Sequence, residues 1–123
     1  MFIIAQFLDY VAKDPDDLIQ QPEFEAALQS VLHTKNQHEL RAAQRLAHVL
    51  HQELWRKEIT ASERQIIRFW YLSSQIANER RDYLNAADAL RRCARFLRTS
   101  ADERAAIWVE EQQGTAYYRA HEY

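Results

Sequence analysis

The residues best placed to do chemistry in this sequence are arginines. Arg91, Arg95 and Arg98 recur at four- and three-residue spacing with Arg92 beside them, and Arg80 and Arg81 stand at the other end of the same segment. Side chains three and four apart share one face of a helix, so the set forms a cationic strip wherever that segment is helical. Thirteen of the sixteen basic residues are arginine, and the planar guanidinium fork suits phosphate or carboxylate recognition. Such a strip either meets a nucleic acid or is neutralised by carboxylates inside the fold. The residues alone leave both open.

Other candidates carry less. His48 and His51 lie three residues apart near Glu53, which brings two imidazoles to roughly one side of a helix, but no cysteine or second spaced pair completes a zinc pattern. They read as solvent-facing or packing histidines. Cys93, the sole cysteine, falls on an apolar stripe with Leu90 and Leu97. It reads as a buried small hydrophobe, because a nucleophilic thiol needs an accessible, electropositive setting. The pairs Asp16-Asp17, Asp102-Glu103 and Glu110-Glu111 belong to helix starts and polar faces, where the positive helix end and solvent account for them. No catalytic residue, metal-ligand set or cofactor is assigned, and the chain reads as a non-enzyme.

These residues need elements to position them, and composition narrows the choice. Gly114 is the only glycine, with Pro15 and Pro22 the only prolines, whereas a sheet protein needs several of each for its turns. The lone glycine also removes every glycine-rich phosphate loop. The fold class is therefore all-α: a single domain of five or six helices packed as antiparallel hairpins. A length of 123 residues with 47% hydrophobic and 28% charged residues supports one ordinary globular core without staples. One cysteine permits no internal disulfide, and the cytoplasm is the expected location. Met1 to Asp9 is apolar, yet it lacks a basic start and is cut by Gln6 and Asp9, so it reads as neither a signal peptide nor a membrane span.

Charge is uneven. Residues 1–40 hold two basic and seven acidic groups, 41–98 twelve and six, and 99–123 two and five. A basic middle between acidic ends marks a polyanion-binding face or packing of the ends onto the middle.

Apolar periodicity divides the chain into an N-terminal helix over 1–13 (Ile3, Ile4, Phe7, Leu8, Val11), a short turn of helix or a bend over Asp14-Pro15-Asp16-Asp17, a hairpin over 22–57, a second over 61–98, and a C-terminal helix and tail over 101–123. In the first hairpin the stripes are Phe24, Ala27, Leu28, Val31, Leu32, then Leu40, Ala43, Leu46, Ala47, Leu50, Leu54. In the second they are Ile66, Phe69, Trp70, Ser73, Ile76, Ala77, then Tyr83, Ala86, Ala87, Leu90, Cys93, Ala94, Leu97. Thr60 with Glu63, Asn36 with Glu39 and Ser100 with Glu103 have the spacing of capping boxes, Asp82 can cap the last of these four helices, and Gly114 ends or interrupts the helix begun at 101.

The second hairpin resembles a tetratricopeptide repeat over residues 67–100. Trp70 takes the aromatic position of the first helix and Ser74 its small position, Tyr83-Leu-Asn-Ala86 the start of the second helix, and Leu90 and Cys93 its bulky and small positions. Ala77 departs from the usual tyrosine, Arg81 from the loop glycine, and no proline closes the unit. Ile59 to Ile67, Ser74 to Ala77 and Ala89 to Arg92 also look like a helix-turn-helix of the sigma-factor or LuxR-regulator kind, without the turn glycine; a continuous helix through Trp70 to Ala77 contradicts that reading. An internal comparison at an offset of 44 residues aligns Leu28, Ser30, Leu40, Ala42, Ala43 and Leu46 with Leu72, Ser74, Leu84, Ala86, Ala87 and Leu90, which suggests two related hairpins.

With no catalytic set, the expected role is a protein-protein interaction module or small regulatory adaptor, with a protein partner or a second copy as its ligand. Trp55, Trp108, Tyr117, Tyr118 and Tyr123 exceed what the stripes need, and aromatic residues dominate contact energies. The alternative is nucleic-acid binding through Arg80, Arg81, Arg91, Arg92, Arg95 and Arg98. Neither a membrane nor a small-molecule substrate is expected.

Overall fold

A computed structural model describes residues 20–99 and 102–122. The readings of a helix over 1–13, of the bend at Asp14-Pro15, and of Ser100 and Tyr123 lie outside the described residues. Within them the chain forms five helices and no strand: α1 (Pro22–Asn36), α2 (Leu40–Trp55), α3 (Glu63–Glu79), α4 (Tyr83–Thr99) and α5 (Glu103–Glu122). The all-α expectation holds. No described helix is long and apolar enough to cross a membrane. Each helix packs on the next, α4 with α5 most closely, and α1 also touches α3.

α3 is the spine. Ile67 joins Leu90, Cys93, Leu97, Ala106 and Val109 in one core cluster, Phe69, Leu72 and Ile76 join Phe24, Val31 and Leu50 in a second, and Ala77 joins Ala86, Ala87 and Ala116 in a third. A helix used on so many sides has more than one stripe. Accordingly Ile66 and Ser73, expected in the core, are only partly buried, while Gln65, Arg68 and Ser74 are buried. α4 follows its expected stripe closely: all of it is buried except Tyr83, which is partly so. On α2 the stripe narrows to Ala43, Ala47 and Leu50, and Leu46 is exposed.

The first hairpin is tied to the second by a buried ion pair. Arg68 forks onto Glu25, its two terminal nitrogens donating to the two carboxylate oxygens at 2.6 and 2.9 Å. Gln29 and Gln65 donate to the same carboxylate at 2.8 and 3.3 Å. Gln65 also donates to the Gln21 carbonyl at 3.2 Å, and the Thr60 hydroxyl donates to the Gln21 side chain. Burial opposes ionisation of Glu25, but the Arg68 fork and the glutamine hydrogen bonds outweigh it and hold the carboxyl down at about 2.

Several helix ends differ from expectation. Ser62, not Thr60, caps α3, in a reciprocal capping box with Gln65 at 3.1 and 2.9 Å. Asn36 closes α1 instead of opening α2, whose N-cap Glu39 makes no side-chain cap bond. Asp102 serves α5, accepting from the Ala105 amide at 3.1 Å. α5 runs through Gly114 without a break. α3 is continuous from Glu63 to Glu79, which overturns the helix-turn-helix reading.

Three left-handed residues stop three helices. His38, Lys57 and Arg81 each have φ 60°, and the following amides of Glu39, Glu58 and Asp82 donate back to Thr34, Glu53 and Ala77 carbonyls at 3.2, 2.9 and 2.8 Å. This is the Schellman arrangement usually built on glycine. His38 and Arg81 also take equivalent places at the two hairpin turns. Both hairpins turn through three residues, and they correspond at 43 residues rather than 44. At that offset Phe24 matches Ile67, Glu25 matches Arg68, Ala43 matches Ala86, Ala47 matches Leu90 and Leu50 matches Cys93, buried in every case.

The ion pair and the placement of glycine can each be tested through stability. Glu25→Ala removes the carboxylate that both terminal nitrogens of the buried Arg68 guanidinium meet and should cost about 3–5 kcal/mol in urea unfolding, whereas replacing both partners by apolar residues of similar volume should cost far less. Because the folded carboxyl is depressed from 4.5 to about 2, its contribution is present above pH 4.5 and lost as pH falls towards 2; a Glu25→Gln chain should lack that acid limb. Glycine is also misplaced for stability. A Cβ on Gly114 meets nothing within 4 Å, so Gly114→Ala should add about 0.5–1 kcal/mol. Arg81→Gly should likewise stabilise, because a left-handed non-glycine residue costs roughly 1–2 kcal/mol.

Candidate functional site

α2 and α4 both rest on α3 but share no extensive interface with each other. The space between them is a groove. At the end nearest the C-terminus of α2 it opens into a cavity of about 740 Å³. Leu54 and Trp55 come from α2, Ile66 and Trp70 from α3, and Phe96 from α4, giving an apolar lining; Lys57, Arg91, Arg92 and Arg95 give it a cationic rim. The helical period explains the sides. Ile66 and Trp70 are four apart on the α3 face that neither α2 nor α4 fully covers, and Arg91, Arg92 and Arg95 lie on the α4 face opposite Ala94 and Leu97.

Trp70 anchors the floor. Its ring meets Phe69 at 4.9 Å and His51 at 5.0 Å, both edge-on, and the Arg92 guanidinium lies 4.7 Å above it. Arg92 is steered there by Asp88, which accepts from Arg92 at 3.2 Å and from Arg91 at 2.7 Å. The Arg91 hydrogen bond foremost, with the Arg92 charge, holds Asp88 below its ordinary range despite partial burial. Asp88 is therefore occupied twice over and offers little negative charge to a ligand. Burial, helped by the charges of Arg92 and His48 and opposed by Asp88, lowers His51 below the ordinary imidazole value.

The groove brings together members of two residue sets that the sequence kept apart. Trp55, 80% exposed, was expected to meet a protein partner, and Arg91, Arg92 and Arg95 to meet a nucleic acid; all four border one cavity. The remaining members lie elsewhere. Trp108 packs on Tyr71, with ring centroids 6.4 Å apart, against the α3–α4–α5 core. Tyr117 and Tyr118 are exposed on α5. Arg80 and Arg81 stand at the α3–α4 turn, where Arg80 donates to Gln44. Arg98 turns towards α5, donating to Glu110 at 2.8 Å and lying 4.0 Å from Glu103. The basic middle is thus neutralised by the acidic ends at Arg68 and Arg98, and its charge stays open at the groove.

Lys57, Leu54, Ile66, Trp70, Phe96 and His51 were not read as site residues. Their one advance signal was on α3, where apolar side chains occur at 66, 67, 69, 70 and 71, more than a single stripe employs. Cys93 is buried against the Ile67 carbonyl at 3.7 Å, and burial pushes its thiol up to about 12. His48 and His51 border the groove, and no three histidine, cysteine or acidic side chains gather into a metal site among the described residues.

Fold and site together define an all-helical hairpin stack with an amphipathic, cation-rimmed groove. We find no protein family, characterised protein or solved structure that matches this chain.

The environment of His51 can be tested directly. In an NMR titration its imidazole should change charge at lower pH than an ordinary histidine, and Arg92→Ala should move the midpoint upward by removing both a like charge and a covering side chain. A midpoint unmoved by Arg92→Ala would contradict this arrangement.

Proposed function

We propose that the chain is a non-catalytic protein-interaction module that receives a partner segment in the groove between α2 and α4. The observation that carries this reading is Trp55, a large aromatic side chain left 80% exposed at the lip of an apolar cavity. Tryptophan and arginine are the residues most enriched among those that dominate binding energy, and they do so beside pockets that exclude water. Helix-lined grooves with an apolar floor are a recurrent way of holding an amphipathic segment. The tetratricopeptide resemblance belongs to the same proposal, since Trp70, its first-helix aromatic, lines this groove.

Nucleic-acid binding is the second reading. It rests on the juxtaposition of exposed Trp55 with Arg91, Arg92 and Arg95, because a base can stack on the indole while the backbone meets the cations. The arginines beyond the groove contribute less to it, Arg98 being engaged by Glu110.

A tagged chain recovered from its native host, with and without nuclease, separates the two. The module reading expects a defined protein retained after nuclease and lost from Trp55→Ala, a truncation that costs about 2 kcal/mol or more at a hot spot. Recovery of nucleic acid, with attendant proteins released on digestion and a steep loss of binding with salt, would establish the second reading instead.

A further inference from the structure

The groove is longer than its largest cavity. A second cavity of about 430 Å³ continues it past His48, Gln52 and Arg56, and a third of about 230 Å³ carries it on to Gln44, Ser73 and Asn85. Neighbouring cavities share His51, and the first and third also share Trp70. Along α2 the lining runs from Gln44 to Trp55, eleven residue steps, or about 16 Å at 1.5 Å per residue. That is the length of three helical turns. Its walls are two helices that share no extensive interface over a third, so the space between them is elongated along the helix axes.

The chemistry changes along this length. At the α2 C-terminal end, Leu54, Ile66 and Phe96 offer aliphatic and aromatic surface, with Lys57, Arg91 and Arg95 around it. At the other end Gln44, His48, Ser73 and Asn85 offer hydrogen bonds rather than charge. The acid in the groove, Asp88, already accepts from Arg91 and Arg92. The groove is therefore most positive at its apolar end; its polar end is lined by no described lysine or arginine, with Arg80 donating to Gln44 at its edge. A nucleic acid needs phosphate contacts spread along its backbone, and the polar end does not supply them. A helix with apolar side chains on one face and carboxylates flanking them matches both the floor and the rim.

We infer that the groove's occupant is an acidic amphipathic helix of about three turns from a partner protein. Its apolar side chains, at i, i+3 or i+4, and i+7, enter the cavity floored by Ile66 and Trp70, and its flanking carboxylates meet Arg91, Arg95 and Lys57. This inference rests on the interaction-module reading and narrows it to one partner chemistry.

The test uses the full chain and three labelled probes in fluorescence anisotropy: a leucine- and glutamate-patterned amphipathic peptide, the same peptide with lysine for glutamate, and a single-stranded oligonucleotide. The acidic peptide should bind and gain helical circular dichroism. Arg91→Glu with Arg95→Glu, both at exposed positions, should weaken it roughly tenfold or more and raise affinity for the lysine peptide, since like charges oppose and unlike charges favour docking. Equal binding of both peptides, tighter binding of the oligonucleotide, or no acidic-peptide binding at roughly millimolar concentration, where about 4 kcal/mol of affinity is detectable, would overturn the inference. A native protein partner lost from Trp55→Ala, alongside failure of the acidic peptide, leaves the module reading standing and removes only the acidic-helix occupant. Loss of both removes the module reading as well.

Discussion

The bond between Glu25 and Arg68 is the constraint on which the arrangement of the two hairpins depends. The pair links corresponding positions of the two units, 43 residues apart, so that what is a carboxylate in the first is a guanidinium in the second. Both side chains are removed from water, where an uncompensated charge is costly. The Arg68 fork and Gln65, both on α3, reach the carboxylate together only when α1 is set in register against them, and Gln29 completes the set from α1 itself. The pair therefore acts by specifying position more than by adding stability, because buried ion pairs often contribute little net energy beyond what apolar residues offer. Once α1 is fixed, its hairpin partner α2 is fixed too, and α2 is held over α3 without an extensive interface with α4.

The groove is thus a by-product of using α3 as a spine. α3 supplies side chains to three core clusters, and one of its faces, carrying Ile66 and Trp70, lies between two helices that it keeps apart. The same geometry explains the charge pattern. Where α4 faces α5, Arg98 finds Glu110; where α4 faces the groove, the acid that Arg91 and Arg92 share among the described residues is Asp88. Among the described residues, a cationic rim over an apolar floor results because the cations outnumber the local acids and no helix covers the hydrophobes.

Much of this was legible beforehand, and the failures have particular causes. The α4 stripe read correctly because α4 is covered along one continuous face, so period alone identifies it. Glu25 and Arg68 were missed because a charge beside an apolar stripe reads as solvated, and its partner lies in the other hairpin. The helix ends were misplaced for a backbone reason. Stop signals are sought at glycine, yet His38, Lys57 and Arg81 take the left-handed conformation, while Gly114 lies inside α5 and stops nothing. The sequence identities fall at 44 residues and the hairpin turns at 43, because shared leucine and alanine at helical spacing align almost as well in a neighbouring register. The groove depends on how far apart α2 and α4 stand, and no property of either helix alone encodes that distance.

Stacking helices in chain order has a kinetic side. Nearly every described interface joins a helix to the next one along the chain, and the closest exception, α1 with α3, skips a single helix. Contacts between sequence neighbours need little loop closure, and proteins rich in them fold in microseconds to milliseconds. The architecture behaves almost as a one-dimensional array in which adjacent units nucleate and then extend. The α3–α4–α5 block is the most closely packed part of the described chain, which would favour its forming before the first hairpin docks. The order of assembly would then make the groove the last feature to form, completed only when α2 comes to rest on α3.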